Sequence, residues 1–164
     1  MRVVHEWLVG GAVIEGPDGL LLVQNRRRDG RHDWSPPGGV IDEGETLVEG
    51  LTREVREETG LVVEEWAGPL YEIDAVALDL GWHLVVQAWQ ATRWTGDLVV
   101  DDPDGIVVDA RWVPVADCAR HLEGCSPWVA DPVHEWVRAP WEGSRRFAYR
   151  IEGLDHRALE VTRV

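Results

Sequence analysis

The sequence has little cysteine, with Cys118 and Cys125 as its only two, and a single phenylalanine and a single methionine in 164 residues. The two cysteines lie close together but lack the C-x-x-C spacing of redox and zinc motifs. A framework of disulfides, which small secreted proteins use for stability, is therefore not expected. We predict a reduced, cytoplasmic protein.

Basic residues are also scarce, because 16 Lys and Arg stand against 30 Asp and Glu and give a net charge of −14. Proteins bind nucleic acid polymers through basic surfaces that neutralise the phosphates, so such a partner is not expected. A small phosphorylated substrate is still compatible with this charge, because a bound metal ion can reverse the local field.

Long hydrophobic runs are absent, and no stretch approaches the roughly 20 apolar residues that a membrane-spanning helix needs. The first residues include an acid and lack the cleavage site of a secretory signal peptide. We therefore expect no membrane association.

What the chain does contain is enough apolar sequence, 45% of 164 residues, to bury a core of its own. We predict one domain over residues 1–164, with residues from about 125 onwards as a C-terminal extension. Most of the ten tryptophans are expected to fill the core or cover sheet faces, and one or two could stack on a base.

Apolar runs predict the strands of the domain. Residues 7–15 and 20–25 are expected to pair around a turn at Gly16–Gly19, which has hairpin composition. Further strands are predicted at 62–76, 82–94 and 106–113, and a short helix after Pro114.

The C-terminal extension has its own pattern. Residues 127–138 predict a helix that Pro132 interrupts, and 145–151 with 157–163 predict a β-hairpin. Three alternatives are open for this segment, namely pairing with the main sheet, closing over the site, or a contact in a homodimer.

The most informative stretch is residues 39–61, which predict a capped helix. Thr46 followed three residues later by Glu49 is a capping box, which marks the start of a helix. Gly60 marks its end, because glycine tolerates the positive φ found just past a helix. Helical spacing places Leu51 and Val55 on one face, which we expect to be buried.

The neighbouring face of this helix carries three carboxylates, Glu54, Glu57 and Glu58. Glu54 and Glu58 repel each other at i,i+4, and acids in the last turn oppose the helix dipole. A solvated acidic helix would have the same composition. Three carboxylates within reach of one point are stable if a divalent cation binds there, and hard oxygen ligands suit Mg²⁺ or Mn²⁺.

Residues 39–61 fit the pattern G-x5-E-x7-R-E-V-x-E-E-x-G-L, and this pattern resembles the complete Nudix box. The resemblance implies an α/β/α sandwich with a mixed central sheet. It also implies a Nudix-type pyrophosphohydrolase, which cleaves a diphosphate linkage in a nucleoside diphosphate derivative with Mg²⁺ as cofactor.

The resemblance further implies roles for individual residues. Glu57 and Glu58 correspond to the principal metal ligands, and Glu54 to a ligand or the general base. Arg53 would orient these carboxylates, and Glu45 would bind Arg53 or the loop before the helix. The carbonyl of Gly38 would help to bind the metal.

Two further groups are candidates for the site. Arg26, Arg27 and Arg28 form the one strongly basic cluster and are either a solvated loop or a clamp on substrate phosphates. The resemblance also implies one additional acid from a loop, which could be Asp101, Asp102 or Asp104, unless these residues only stabilise a turn. His83 could contact substrate or have a structural role.

The substrate is predicted by elimination. Ala77 and Leu78 replace the proline that follows the box in many ADP-ribose pyrophosphatases. A nucleoside triphosphate, oxidised or not, is therefore the first expectation, and cleavage would give a monophosphate and pyrophosphate. ADP-ribose or a nucleotide sugar is the alternative substrate. The alternative of another class is a Nudix-fold module that senses a nucleotide and regulates a partner.

Overall fold

The computed structural model describes residues 3–164 and has two sheets with few helices. One sheet has six strands in the order β10-β9-β6-β7-β1-β5, and the other joins β2, β3, β4 and β8. The bounds of the strands and helices, in chain order, are β1 His5–Val13, β2 Glu15–Gly16, β3 Gly19–Arg26, β4 His32–Ser35, β5 Gly38–Val40, α1 Leu47–Thr59, β6 Val62–Ala77, β7 Trp82–Thr95, β8 Val107–Val113, a 3₁₀ turn Val115–Asp117, α2 Cys118–His121, α3 Pro127–Arg138, β9 Arg145–Glu152 and β10 Glu160–Arg163.

The six-stranded sheet is mixed. β1 runs parallel to β7 and antiparallel to β5, and β6 runs antiparallel to β7 and parallel to β9. Alternate residues of β6, among them Tyr71, Ile73 and Ala75, are buried in the core that also contains Val133 and Trp136 of α3. This alternation follows from the two-residue period of a strand.

The opposite face of the six-stranded sheet is covered at one end by α1. Leu51 and Val55 of this helix are fully buried and belong to a second core with Ala12 and Ile14. Helices on both faces of a mixed sheet form the α/β/α sandwich, so the predicted fold class is confirmed.

The predicted pairing of the first two strands is wrong. β1 does not pair with β3, because the chain leaves the first sheet after Val13 and enters the second one at Glu15. The turn at Pro17 and Asp18 is a hairpin turn, but it joins β3 only to the two residues of β2. β3 instead pairs with β4 and β8.

The C-terminal segment pairs with the main sheet, which is one of its three alternatives and does not exclude the other two. β9 lies parallel to β6, with Phe147 opposite Ile73, and β10 adds an antiparallel edge strand. α3 continues through Pro132, which is buried within it, so the proline does not end the helix. Within residues 3–164, no helix has the length and apolar character needed to cross a bilayer.

Candidate active site

Helix α1 has the predicted ends. The N–H of Glu49 donates to Oγ1 of Thr46 at 3.2 Å, and that hydroxyl donates to Glu49 Oε1 at 3.0 Å. Gly60 ends the helix with a φ of 81°, and its N–H donates to the carbonyl of Arg56. The helix packs closely on β1 at Gly10, which has no side chain. A Cβ added to Gly10 would lie 3.3 Å from Cβ of Leu51.

Arg53 binds several acids with one guanidinium group. It donates to both carboxylate oxygens of Glu45, from Nε at 2.8 Å and from Nη2 at 2.9 Å. Its Nη1 donates to Glu54 at 3.1 Å and to Glu57 at 3.3 Å. The bonds from Arg53, with one from the N–H of Asp42, lower the pKa of Glu45 to about 2. Arg53 therefore fixes the orientation of three side chains of the box.

Glu58 is outside the reach of this guanidinium. Glu58 is only 7% exposed, and its carboxylate accepts a hydrogen bond from the N–H of Gly38 at 3.2 Å. Burial, together with the negative charges of Glu54, Asp102 and Glu57, raises the pKa of Glu58 to about 9. Burial also raises the pKa of Glu54, although Arg53 opposes the shift.

Two glycines let the backbone of β5 lie against the carboxylates. A Cβ on Gly39 would lie 2.6 Å from Cδ of Glu54, and a Cβ on Gly38 would lie 2.0 Å from the carbonyl oxygen of Gly10. Both contacts are closer than a side chain tolerates. The glycines that open the box therefore make room for Glu54 and for the neighbouring strand.

A cavity of about 730 Å³ contains the acidic face of α1, and its volume is typical of small-molecule sites. Its walls differ in character. One wall carries the box residues, and another is apolar and comes from the six-stranded sheet and α3. The residues that line it include Arg53, Glu54, Glu57, Glu58, Gly38, Gly39, Asp104, Asn25, Arg27, Ser35, Tyr71, Ile73, Leu84, Val86, Trp128 and Val129.

The acids of the loop before β8 differ from one another. The carboxylate of Asp102 accepts hydrogen bonds from the N–H groups of Asp104, Ile106 and Val107 at 2.9 to 3.2 Å, so it stabilises the loop. Asp102 and Asp104 both line the cavity, and their charges contribute to the raised pKa values of Glu58 and Glu54, respectively. Asp101 is exposed and is not among the residues that line the cavity.

Of the three arginines proposed as a clamp, only Arg27 lines the cavity. Its guanidinium is bound to Asp33, through Nε at 2.7 Å and Nη2 at 2.9 Å. Arg26 and Arg28 are exposed and do not line it. His83 bonds to Asp74 at 2.8 Å and is likewise not a lining residue, so its surroundings fit a structural role.

The donor set at the acidic wall fits a hard divalent cation. Glu58 is a buried carboxylate that no cationic side chain of residues 3–164 neutralises, and carboxylate oxygens are the ligands that Mg²⁺ and Mn²⁺ prefer. In residues 3–164 no three His, Cys, Asp or Glu side chains are arranged as a closed ligand set. Glu54 and Glu57 are instead bonded to Arg53.

The raised pKa of Glu58 predicts a pH-dependent stability for the protein in EDTA. The folded protein holds a proton on Glu58 up to about pH 9, whereas the unfolded chain releases it near the ordinary value of 4.5. The folded state therefore binds more protons between these limits, and its stability falls as the pH rises through this range. We expect the thermal midpoint to fall between pH 5 and 9, and to fall less in Glu58→Gln.

Thermal unfolding followed by circular dichroism measures this difference. Glu43→Gln is the matched control, because Glu43 is exposed and does not line the cavity, and it should follow the wild type. Parallel curves for the wild type and Glu58→Gln would show that Glu58 is not protonated in the folded protein.

The apolar wall of the cavity is the part that sequence reasoning missed. Ile73 lies opposite Val86 on neighbouring strands, and Leu84 points to the same side. Leu84 and Val86 are only partly buried although β7 lies inside the sheet, because they face the cavity. The alternation of β6 and β7 predicts that such residues share a face, but it does not predict that this face borders the box helix.

The segment that forms the cavity and carries the box helix is similar to known proteins. Residues 7–137 match the family profile of the NUDIX domain. The chain is 36% identical over 130 residues to a Mycobacterium tuberculosis protein provisionally named mutator protein MutT4. That match covers 74% of the chain and 51% of the relative, so the chain spans about half the length of this protein.

A second M. tuberculosis relative is matched over nearly its full length. This protein, provisionally named 8-oxo-dGTP diphosphatase 2, is 29% identical over 134 residues, which cover 74% of the chain and 94% of the relative. Among solved structures, the MutT protein of Bacillus halodurans has the same fold, with a TM-score of 0.70 at 20% identity over 96% of this chain and 97% of that one. The profile match extends over most of the chain and includes the box helix at the cavity. The chain therefore belongs to the Nudix family.

Proposed function

We propose that the protein is a divalent-cation-dependent pyrophosphohydrolase that cleaves a phosphoanhydride bond in a nucleoside diphosphate derivative, with a nucleoside triphosphate as the first candidate. The observation that carries this proposal is the cavity itself, in which the box carboxylates line one wall and apolar side chains another. A polyphosphate with a cation fits the first wall, and a flat heterocycle fits the second. The name of the second mycobacterial relative, an 8-oxo-dGTP diphosphatase, supports the same substrate class.

Glu54, Glu57 and Glu58 would hold the cation, together with the carbonyl of Gly38. Bound there, a divalent cation would screen the charge of the anhydride oxygens and lower the pKa of water. Arg53 keeps Glu54 and Glu57 in place through its hydrogen bonds. Positioning and electrostatic stabilisation are the main needs of this chemistry.

The nucleophile is a water molecule. Its oxygen forms a bond to phosphorus while the bond from phosphorus to the bridging oxygen breaks, and the leaving phosphate keeps that electron pair. The proton of the water passes to Glu54 or to Asp104. The carboxylate of Asp104 is available for this role, because it accepts no hydrogen bond within the described part of the chain.

The C-terminal segment contributes directly to the cavity through Trp128 and Val129 of α3. The ring of Trp128 is held by an edge-to-face contact with Trp82, with centroids 5.9 Å apart. We therefore include residues 125–164 in one domain with the box. Trp128 is the tryptophan best placed to stack on a base, in line with the expectation that one or two would do so.

Hydrolysis of a nucleotide panel tests the proposed function. The wild type is assayed for phosphate or pyrophosphate release from common and oxidised nucleoside triphosphates, ADP-ribose and nucleotide sugars, with Mg²⁺ and with EDTA. We expect cleavage that requires the cation and is fastest with a triphosphate. Tight nucleotide binding without turnover would instead identify a sensing module.

The two loop acids offer a matched pair of variants. Asp104→Asn is expected to lower kcat by about tenfold or more without changing the thermal midpoint, because general bases typically contribute 10²-fold or more. Asp102→Asn makes the same change in charge in the same cavity but also weakens the bonds to three N–H groups, so it should lower the thermal midpoint, which Asp104→Asn should not. Full activity in Asp104→Asn would remove this residue from the mechanism.

A further inference from the structure

Two polar residues of the cavity, Asn25 and Tyr71, have hydrogen-bonding capacity that the protein does not use. Both line the cavity, and both are nearly buried, with 7% of Asn25 and 3% of Tyr71 exposed. Neither belongs to the box. Buried polar groups are normally paired, so an unpaired polar atom that faces a cavity is available to a ligand bound there.

The amide of Asn25 has a fixed orientation. Its Nδ2 donates to Oδ1 of Asp33 at 3.2 Å and to Oγ of Ser35 at 2.9 Å. A carboxylate only accepts, so the nitrogen of the amide must be the atom that faces Asp33. Asp33 is itself held by two bonds from Arg27. Oδ1 of Asn25 accepts no hydrogen bond from residues 3–164 and keeps two free lone pairs.

The hydroxyl of Tyr71 is the second unused group. The ring is packed edge-to-face on Phe147, with centroids 5.8 Å apart, and the hydroxyl has no partner in the described chain. Burial raises the pKa of Tyr71, so the hydroxyl is neutral and can donate as well as accept.

Both unused atoms are accessible. Among the described residues, Nε2 of His134 is the one completely buried side-chain nitrogen or oxygen without a partner. The unpaired atoms of Asn25 and Tyr71 are therefore not sealed in the core, and the space that both residues line is the cavity.

We propose that Asn25 and Tyr71 determine specificity by reading the uncharged part of the substrate, with Asn25 Oδ1 accepting from an N–H or O–H group and the Tyr71 hydroxyl forming a second hydrogen bond. This inference rests on the proposed function. An amide oxygen repels phosphate oxygens, because both only accept. The donor therefore belongs to the nucleoside, either to an N–H of the base or to a hydroxyl of the sugar.

Analogues that lack one donor identify which source is read. The kcat and KM of the wild type, Tyr71→Phe and Asn25→Leu are measured with GTP, ITP, dGTP and 2′,3′-dideoxyGTP. ITP lacks the 2-amino group, and the dideoxy analogue lacks the 3′-hydroxyl. We expect each variant to raise KM about tenfold for the substrate that carries the donor, with a smaller change in kcat. If the lost bond was to the 2-amino group, the preference of that variant for GTP over ITP should shrink. If it was to the 3′-hydroxyl, the preference for dGTP over 2′,3′-dideoxyGTP should shrink.

Tyr71→Phe is the decisive variant, because it removes only an unpaired hydroxyl and keeps the packing on Phe147. Asn25→Leu also loses two bonds within the protein, so its thermal midpoint is measured alongside. Tyr149→Phe is the control, since its hydroxyl donates to Asp131 and the residue does not line this cavity. It should keep the wild-type preferences.

Binding separates this inference from the proposed function. The four nucleotides are titrated while tryptophan fluorescence is followed, since Trp128 lines the cavity. Weaker binding by Tyr71→Phe, with the same preference lost, supports the inference even if no nucleotide is hydrolysed. Unchanged KM, unchanged affinity and unchanged preferences in both variants would overturn it.

Discussion

Replacing Glu57 with glutamine is expected to lower kcat by about 100-fold or more, because a ligand and its negative charge are removed from the proposed cation site. Glu57 is a clear test because, among residues 3–164, its one salt bridge is to Arg53, at 3.3 Å, so the substitution leaves the core unchanged. The folded protein should be as stable as the wild type or slightly more stable in EDTA, since repulsion between residues 57 and 54 is reduced.

Activity assays and calorimetric titration with Mg²⁺ measure the two consequences. Glu49→Gln is the control on the same helix, because Glu49 is exposed and glutamine preserves the capping box. It should keep activity and Mg²⁺ affinity. Equal Mg²⁺ affinity in the wild type and Glu57→Gln would remove Glu57 from the ligand set.

Replacing Arg53 with alanine is expected to have an effect of similar size for a different reason. The guanidinium binds Glu45, Glu54 and Glu57 at once, so its removal leaves three carboxylates without their shared cation. We expect kcat to fall by roughly 100-fold. The free energy of unfolding should fall by about 1–3 kcal/mol, because several charge-assisted bonds are lost.

Arg53→Lys should recover little of this activity, because an ammonium group cannot reproduce the two parallel bonds to Glu45. Kinetics and chemical denaturation of the variants are the measurements. Arg56→Ala is the control, since Arg56 is exposed on the same helix and does not line the cavity. A fully active Arg53→Lys would show that the charge of residue 53, rather than its geometry, is what the site needs.

The local features of α1 could be predicted because they depend on neighbouring residues alone. The capping box at Thr46, the glycine end at Gly60 and the buried positions Leu51 and Val55 all follow from helix geometry, and the structure has them. The strands also lie close to their predicted positions, because alternation and turn residues are local signals as well.

Pairing between distant segments could not be predicted in the same way. The apolar run of β1 fits either sheet, and the hairpin turn at Pro17 suggested β3 as its partner, whereas β1 lies between β7 and β5. Composition likewise shows Arg27 as part of a basic cluster, but not that Asp33 binds it at 2.7 Å.

The acidic half of the cavity could be predicted from the sequence, and the other half could not. Glu54, Glu57 and Glu58 lie within two helical turns, so their spacing brings them together. Asn25 and Tyr71 are far apart in the chain and meet at the cavity only through the packing of the two sheets. The sequence therefore indicated the chemistry better than the substrate.

The origin of the oxygen added during cleavage tests the central claim, that water attacks phosphorus in this cavity. A single turnover of a nucleoside triphosphate by excess protein is run in ¹⁸O-water with Mg²⁺, and the products are analysed by mass spectrometry. The account predicts one ¹⁸O atom in one of the two products in the first turnover. Unlabelled products in that turnover would mean that an oxygen of the protein attacks first, and would contradict the account.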